Sequence, residues 1–150
     1  MTSMDTRSFG SLGEDAAAKF LENNGFRIIA RNVYVGHAEI DIIAENDIYI
    51  IFVEVKTRRQ IPDRSSPFGT PSDAVNHRKK DMLVRGAEGY LAANPTEKFS
   101  RIDVIEVYAD PRCEEFCVTK IIMLENAVKK SGKFSKHGRK SSLNHLENED

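Results

Sequence analysis

Three charged residues interrupt two apolar, β-branched runs. Asp41 lies inside Ala38-Glu-Ile-Asp-Ile-Ile-Ala, and Glu54 and Lys56 end Ile50-Ile-Phe-Val-Glu-Val-Lys. Side chains alternate along a strand, so Glu54 and Lys56 share a face, and Glu39, Asp41 and Ile43 share one on the first strand. Two carboxylates on one face repel and are costly to desolvate unless a cation lies between them. A hard divalent cation such as Mg²⁺ or Mn²⁺ takes oxygen ligands, often one or two carboxylates, and keeps waters for chemistry. With a lysine beside it, such a site suits phosphodiester hydrolysis: the cation polarises the phosphate and acidifies an attacking water, and the lysine orients that water or offsets developing charge. The plainer alternative is a same-face Glu54–Lys56 ion pair with Asp41 solvated. Asp41's place inside an apolar run weighs towards the metal.

The two runs flank Asn46-Asp47 and predict a β-hairpin. A two-residue loop there pairs Glu45 with Ile48 and sets Asp41 opposite Phe52, diagonal to Glu54 at about 7 Å. A four-residue loop keeps both acids on one face, whereas an odd-length loop separates them. Upstream, Phe26 to Val35 predicts a first strand, joined through Gly36-His37 to make a meander. Before it, Ser11-Leu-Gly-Glu14 reads as a capping box opening a helix to Asn24, with Gly25 as its stop. Glu14 then either caps the helix or belongs to its inward stripe with Ala17, Ala18 and Leu21. Thr70-Pro71 predicts a second helix, over 71–93, ended by Asn94-Pro95. Arg101–Ala109 and Glu115–Leu124 complete a central mixed sheet in an α/β domain. Asp103, another acid among β-branched residues, is expected to pair with Arg101.

Asp41 followed by Glu54-Val-Lys56 resembles the PD-(D/E)xK pattern of the restriction-endonuclease-like superfamily. Gly13-Glu14, Ala38-Glu-Ile-Asp41 and Phe52-Val-Glu-Val-Lys-Thr-Arg58 more closely resemble the YraN family of bacterial proteins. That family is uncharacterised, predicted to be endonuclease-like, and similar to archaeal Holliday junction resolvases. The resemblance spans about residues 10 to 108. It implies a restriction-endonuclease-like fold, metal-dependent cleavage of DNA, a branched substrate and a homodimer. It also implies that Glu14 joins Asp41 and Glu54 as a metal ligand, with Lys56 catalytic and the Val55 carbonyl a further ligand. Lys79 or Lys80 resembles a lysine the family carries on its second helix. The Gln-x-x-x-Tyr motif of some related nucleases is missing.

Basic residues cluster around this centre. Arg58, Arg59 and Arg64 lie in or beside the Pro- and Ser-rich loop after Lys56. Arg78, Lys79 and Lys80 break the apolar face of the second helix. Both groups are candidate phosphate contacts, or simply solvated charge. Overall charge is −1 over 150 residues, which argues against a uniform coat for nucleic acid but leaves room for a local basic surface. The composition fits one domain over residues 10–128, after a flexible 1–9 and before a basic-then-acidic tail over 129–150. No apolar run is long enough to span a membrane, and no secretory core opens the chain. Cys113 and Cys117 make neither a disulfide framework nor a zinc site, so a reducing cytoplasm is expected. Two other readings remain: a catalytically silent nucleic-acid binder on the same fold, and a protein-interaction scaffold in which the acids are structural.

Overall fold

The computed structural model describes residues 6–60 and 76–129. Helix α1 (Thr6–Asn23) is followed by strands β1 (Arg27–Val35), β2 (Ala38–Glu45) and β3 (Tyr49–Arg59), helix α2 (His77–Ala93), and strands β4 (Phe99–Ala109) and β5 (Val118–Val128). The strands lie side by side in chain order. β1, β2 and β3 form the expected antiparallel meander, β4 runs parallel to β3, and β5 antiparallel to β4. This is the expected α/β architecture, a mixed sheet flanked by helices.

The helices cover opposite faces. Ala17 and Leu21 of α1 pack with Ile42, Ile51, Val53, Ile105 and Val107. Leu83 and Ala87 of α2 pack with Ile40, Ile43, Ile50, Phe52, Ile102 and Val104. Burial on both faces explains why β2 and β3 read as continuous apolar runs rather than a polar–apolar alternation. Against such a background each inserted acid needs a reason.

Several boundaries differ from expectation. α1 begins at Thr6, inside the stretch predicted to be flexible, so Ser11-Leu-Gly-Glu14 is helix interior and not a capping box. Glu14 is thereby freed from capping. The predicted stop holds: Gly25 takes φ +88°, its N–H bonds Glu22 O at 3.1 Å, and Phe26 N–H reaches Leu21 O at 2.9 Å. α2 is capped by Asn76, whose side chain accepts the Lys79 N–H, several residues later than predicted. Thr70 and Pro71, like Arg64 and nearly all of the tail, lie outside the described residues. β5 runs to Val128, beyond its expected end at Leu124.

The β2–β3 turn is displaced by one residue. Asn46 N–H bonds Tyr49 O at 2.9 Å, so the loop is Asp47-Ile48. The Asn46 carboxamide oxygen accepts from the N–H groups of Ile48 and Tyr49 at 2.9 and 2.7 Å, which fixes Asn46 at the head of the turn. Glu45 therefore pairs with Ile50, and the ladder runs to Ile42–Val53.

Asp103 does pair with Arg101, whose Nε donates to both carboxylate oxygens at 3.0 and 3.1 Å, and it also accepts the Asn126 N–H at 2.8 Å. Cys113 and Cys117 are free thiols in the β4–β5 connection, and bonding to Cys117 pushes Cys113 up to about 11. Among the described residues no helix is long and apolar enough to cross a membrane.

Candidate active site

The one-residue shift of the turn moves Asp41. Continuing the ladder past Ile42–Val53 brings it directly opposite Glu54, not diagonal to it. The strands part there, and the Val55 N–H donates to Asp41 Oδ2 at 2.8 Å. The two carboxyl groups are within hydrogen-bonding reach, with protonated Glu54 the donor.

Burial sets their acidity. Glu54 is raised to about 7, first by desolvation and then by the charge of Asp41, against the opposing pull of Lys79 and Lys56. Asp41 is raised by desolvation, and the Val55 N–H and Lys79 pull it back. Lys79 Nζ stands 3.6 Å from Glu54 Oε1, which is buried and has no hydrogen-bond partner among the described residues. Lys56 follows two positions along the same face of β3 as Glu54. Lys79, expected from the sequence as a phosphate contact or as the lysine the family carries on this helix, lies at the Asp41–Glu54 pair.

Glu14 arrives from the other layer. Gly13 lets α1 approach β3 closely, since a Cβ at that position would fall 1.8 Å from Thr57 Oγ1. Glu14 is raised by burial and by the charge of Asp41, while its bond to the Asn32 side chain and the nearby Arg31 lower it. Arg31 lies 3.6 Å from Glu14 and 2.8 Å from Asp15. Among the described residues no three His, Cys, Asp or Glu side chains converge as a metal cage. Asp41 and Glu54 are the close pair, with Glu14 within electrostatic reach of Asp41.

This donor set suits a hard divalent cation. Two facing carboxylates that share a proton, one with an orphaned buried oxygen, supply oxygen ligands and leave the remaining positions for water or phosphate. Asp41 and Glu54 are the residues that would hold it.

The basic residues divide. Arg58 turns onto β4, where its Nη2 and Nε donate to Glu106 Oε2 at 3.1 and 3.3 Å. Glu106 is fully buried and also accepts from Tyr108 Oη, so Arg58 is committed to the sheet. Arg59 lies over the Phe9 ring at 4.4 Å. Arg78 is exposed, and Lys80 half-buried, at the start of α2. Sequence reasoning passed over Glu106, although an acid within Val104-Ile-Glu-Val107 carries the same signal as Asp41. It also passed over Asn32, which no motif marked.

Residues 13–107 match the profile of the uncharacterised protein family UPF0102. A UPF0102 protein of Caldanaerobacter subterraneus subsp. tengcongensis is 36% identical over 128 residues, covering 85% of this chain and 99% of the relative. Another, from Symbiobacterium thermophilum, is 46% identical over 107 residues, covering 71% of this chain and 86% of the relative. The Pyrococcus furiosus SfsA structure in complex with Ca²⁺ aligns at 17% identity over 81% of this chain and 65% of that one, with a TM-score of 0.34, too low to argue a shared site. On the profile match and these relatives, the chain belongs to the uncharacterised family UPF0102, the YraN family its motifs resemble.

Proposed function

We propose that this protein is a metal-dependent endonuclease that hydrolyses DNA phosphodiester bonds. One observation carries the reading: half-buried Asp41 and buried Glu54 face each other, with Glu54 Oε1 unsatisfied and two lysines beside it. A pair so costly to ionise is poorly explained as structure, because an apolar pair of similar volume would fill the space at lower cost. Asp41 and Glu54 would hold Mg²⁺ or Mn²⁺, which when bound would polarise the scissile phosphate and acidify a water. Lys56 is suited to orient that water or to offset charge growing on the phosphate. Glu14 either completes the ligand shell or holds Asp41's environment negative from the other layer. Arg59, Arg78 and Lys80 would track the phosphate backbone in a sequence-independent way. The resemblance to junction resolvases makes branched DNA the first substrate class and a homodimer the expected assembly, in the cytoplasm.

The Lys79–Glu54 contact favours a second reading. An ammonium beside the carboxylate pair is what a nucleic-acid binder without a metal would retain. Cleavage of labelled single-stranded, duplex and four-way-junction DNA in Mg²⁺, Mn²⁺ or EDTA separates the two. The nuclease requires cleavage that needs metal and is lost in Glu54→Ala and Lys56→Ala. Salt-sensitive binding without turnover assigns the silent binder.

A further inference from the structure

Side-chain alternation reverses in β1 and β2 at the same level. In β2, Ile40 and Ile43, three residues apart, both pack towards α2, whereas Ile42 and Ala44 pack towards α1. In β1, Ile28 and Arg31 face α1, whereas Val33 and Val35 face α2. The paired register passes from Arg31–Ile42 to Val33–Ile40 and leaves Asn32 facing Asp41 between them. Asn32 has φ +53°. Residues with a Cβ seldom adopt this left-handed region, and asparagine is among the few that tolerate it.

The reversal decides where Asp41 points. In phase with Ile40, Asp41 would face the α1 layer, away from Glu54. In phase with Ile43, it would stand in the α2 layer, away from Glu14. At the crossover it does neither: it accepts the Val55 N–H, a group lying in the plane of the sheet, and feels charges from both layers, Glu14 on one side and Lys79 on the other. The Asn32 side chain meanwhile bonds Glu14.

We propose that Asn32 is the positioning residue of the carboxylate pair. Its left-handed backbone turns Asp41 into the sheet plane beside Val55 and Glu54, and its side-chain amide holds Glu14 on the other side of Asp41. The inference deepens the reading of Asp41 and Glu54 as cation ligands and rests on it for its metal arm alone.

The test compares Asn32→Gly, which keeps access to the left-handed region, with Asn32→Ala, which does not. Amide exchange of Val55 in the full chain with EDTA reports whether Asp41 keeps its place. Titration with Mn²⁺ reports the consequence. In Asn32→Gly, Val55 stays protected as in the wild type, while loss of the amide weakens Mn²⁺ binding by about tenfold or more. In Asn32→Ala, Val55 exchanges about tenfold faster while Ile51 and Val53 keep their protection, and Mn²⁺ binding is weaker still. This order is opposite to strand propensity, which disfavours glycine. Equal Val55 protection in the alanine variant and the wild type overturns the proposal. If Asn32→Ala does not fold, the glycine variant decides: lost Val55 protection or unchanged Mn²⁺ affinity overturns it. A wild-type chain that binds no Mn²⁺ refutes the cation reading, and Val55 exchange still decides the positioning role.

Discussion

Gly13 and Thr57 are in contact across α1 and β3, and no side chain fits at Gly13 without displacing Thr57: a Cβ there would lie 1.8 Å from Oγ1 and 2.8 Å from the Thr57 Cβ. The helix carrying Glu14 is thereby seated one residue beyond Lys56 on the neighbouring strand. Helix propensity alone makes Gly13→Ala stabilising by about 1 kcal/mol. The contact reverses the sign, and an overpacked interface costs about 1–3 kcal/mol. Urea unfolding of Gly13→Ala, Thr57→Ala and the double variant is expected to show destabilisation by the first and partial rescue in the double, with a coupling energy of at least about 1 kcal/mol. A stabilised Gly13→Ala would mean that α1 is free to lift, and Glu14 with it.

Buried Glu54 beside Asp41 gives the metal-free protein an unusual pH dependence. Glu54 titrates near 7 in the folded chain against an ordinary 4.5, so between those values the folded state holds a proton that the unfolded state has lost. Stability is therefore full below about pH 4.5 and falls as pH rises through 7, by up to about 3 kcal/mol. Asp41 and Glu14, also raised, act in the same direction. Glu54→Gln should flatten most of this slope in EDTA. Mn²⁺ binds the ionised pair and should reverse it, adding about 2.7 kcal/mol at a hundredfold excess over Kd at pH 8 and little at pH 5. Urea midpoints at the two pH values, with EDTA or Mn²⁺, check both signs. A flat profile in EDTA would show that the pair is hydrated.

Lys79 should uncouple metal binding from cleavage. Its ammonium lies 3.6 Å from Glu54 Oε1, where it competes with a divalent cation for the same oxygen. Removing it relieves that competition, so Lys79→Ala should bind Mn²⁺ at least as tightly as the wild type. If Lys79 then serves phosphate once the cation is in place, cleavage should nevertheless fall by about 10²-fold. Lys80→Ala, one residue along, should leave metal affinity unchanged. Equal effects of the two substitutions on Mn²⁺ binding would return Lys79 to the general basic surface.

Which parts were legible in the sequence follows from how local the signals are. Strand parity sets Glu54 and Lys56 on one face, and an acid inside an apolar run marks Asp41 and Asp103 from the sequence alone. Facing Asp41 to Glu54 needed the turn register, which depended on the Asn46 carboxamide and was off by one residue. Ser11 to Glu14 matched a capping box, but α1 continues through it from Thr6. Asn32 was invisible because a left-handed residue in a strand leaves no periodic trace beyond a phase change, and in β1 a separate bulge between Ile28 and Ala30 shifts the phase once more a few residues earlier. The partners of Lys79 and Arg58 are set by tertiary packing, and a basic cluster reads the same whether it faces solvent or a buried acid.

Arg58 and Arg78 should therefore part company when each is replaced by alanine. Arg58 is the guanidinium partner of Glu106, whose side chain has no solvent exposure. Losing it strands a buried carboxylate, and breaking such a pair costs about 3 kcal/mol or more. Arg58→Ala should thus unfold at markedly lower urea, and Glu106→Gln should restore part of the loss by removing the charge. The salt dependence of DNA binding by folded Arg58→Ala should match the wild type, since this guanidinium is engaged by Glu106. Arg78 is exposed at the start of α2. Its removal should leave stability within about 0.5 kcal/mol, weaken binding to all DNA sequences alike, and reduce the slope of log affinity against log salt by about 1. Fluorescence anisotropy across a salt series, paired with urea unfolding, reads both properties on the same preparations. A reduced salt slope in Arg58→Ala would place that guanidinium on the phosphate backbone and free Glu106 from its partner.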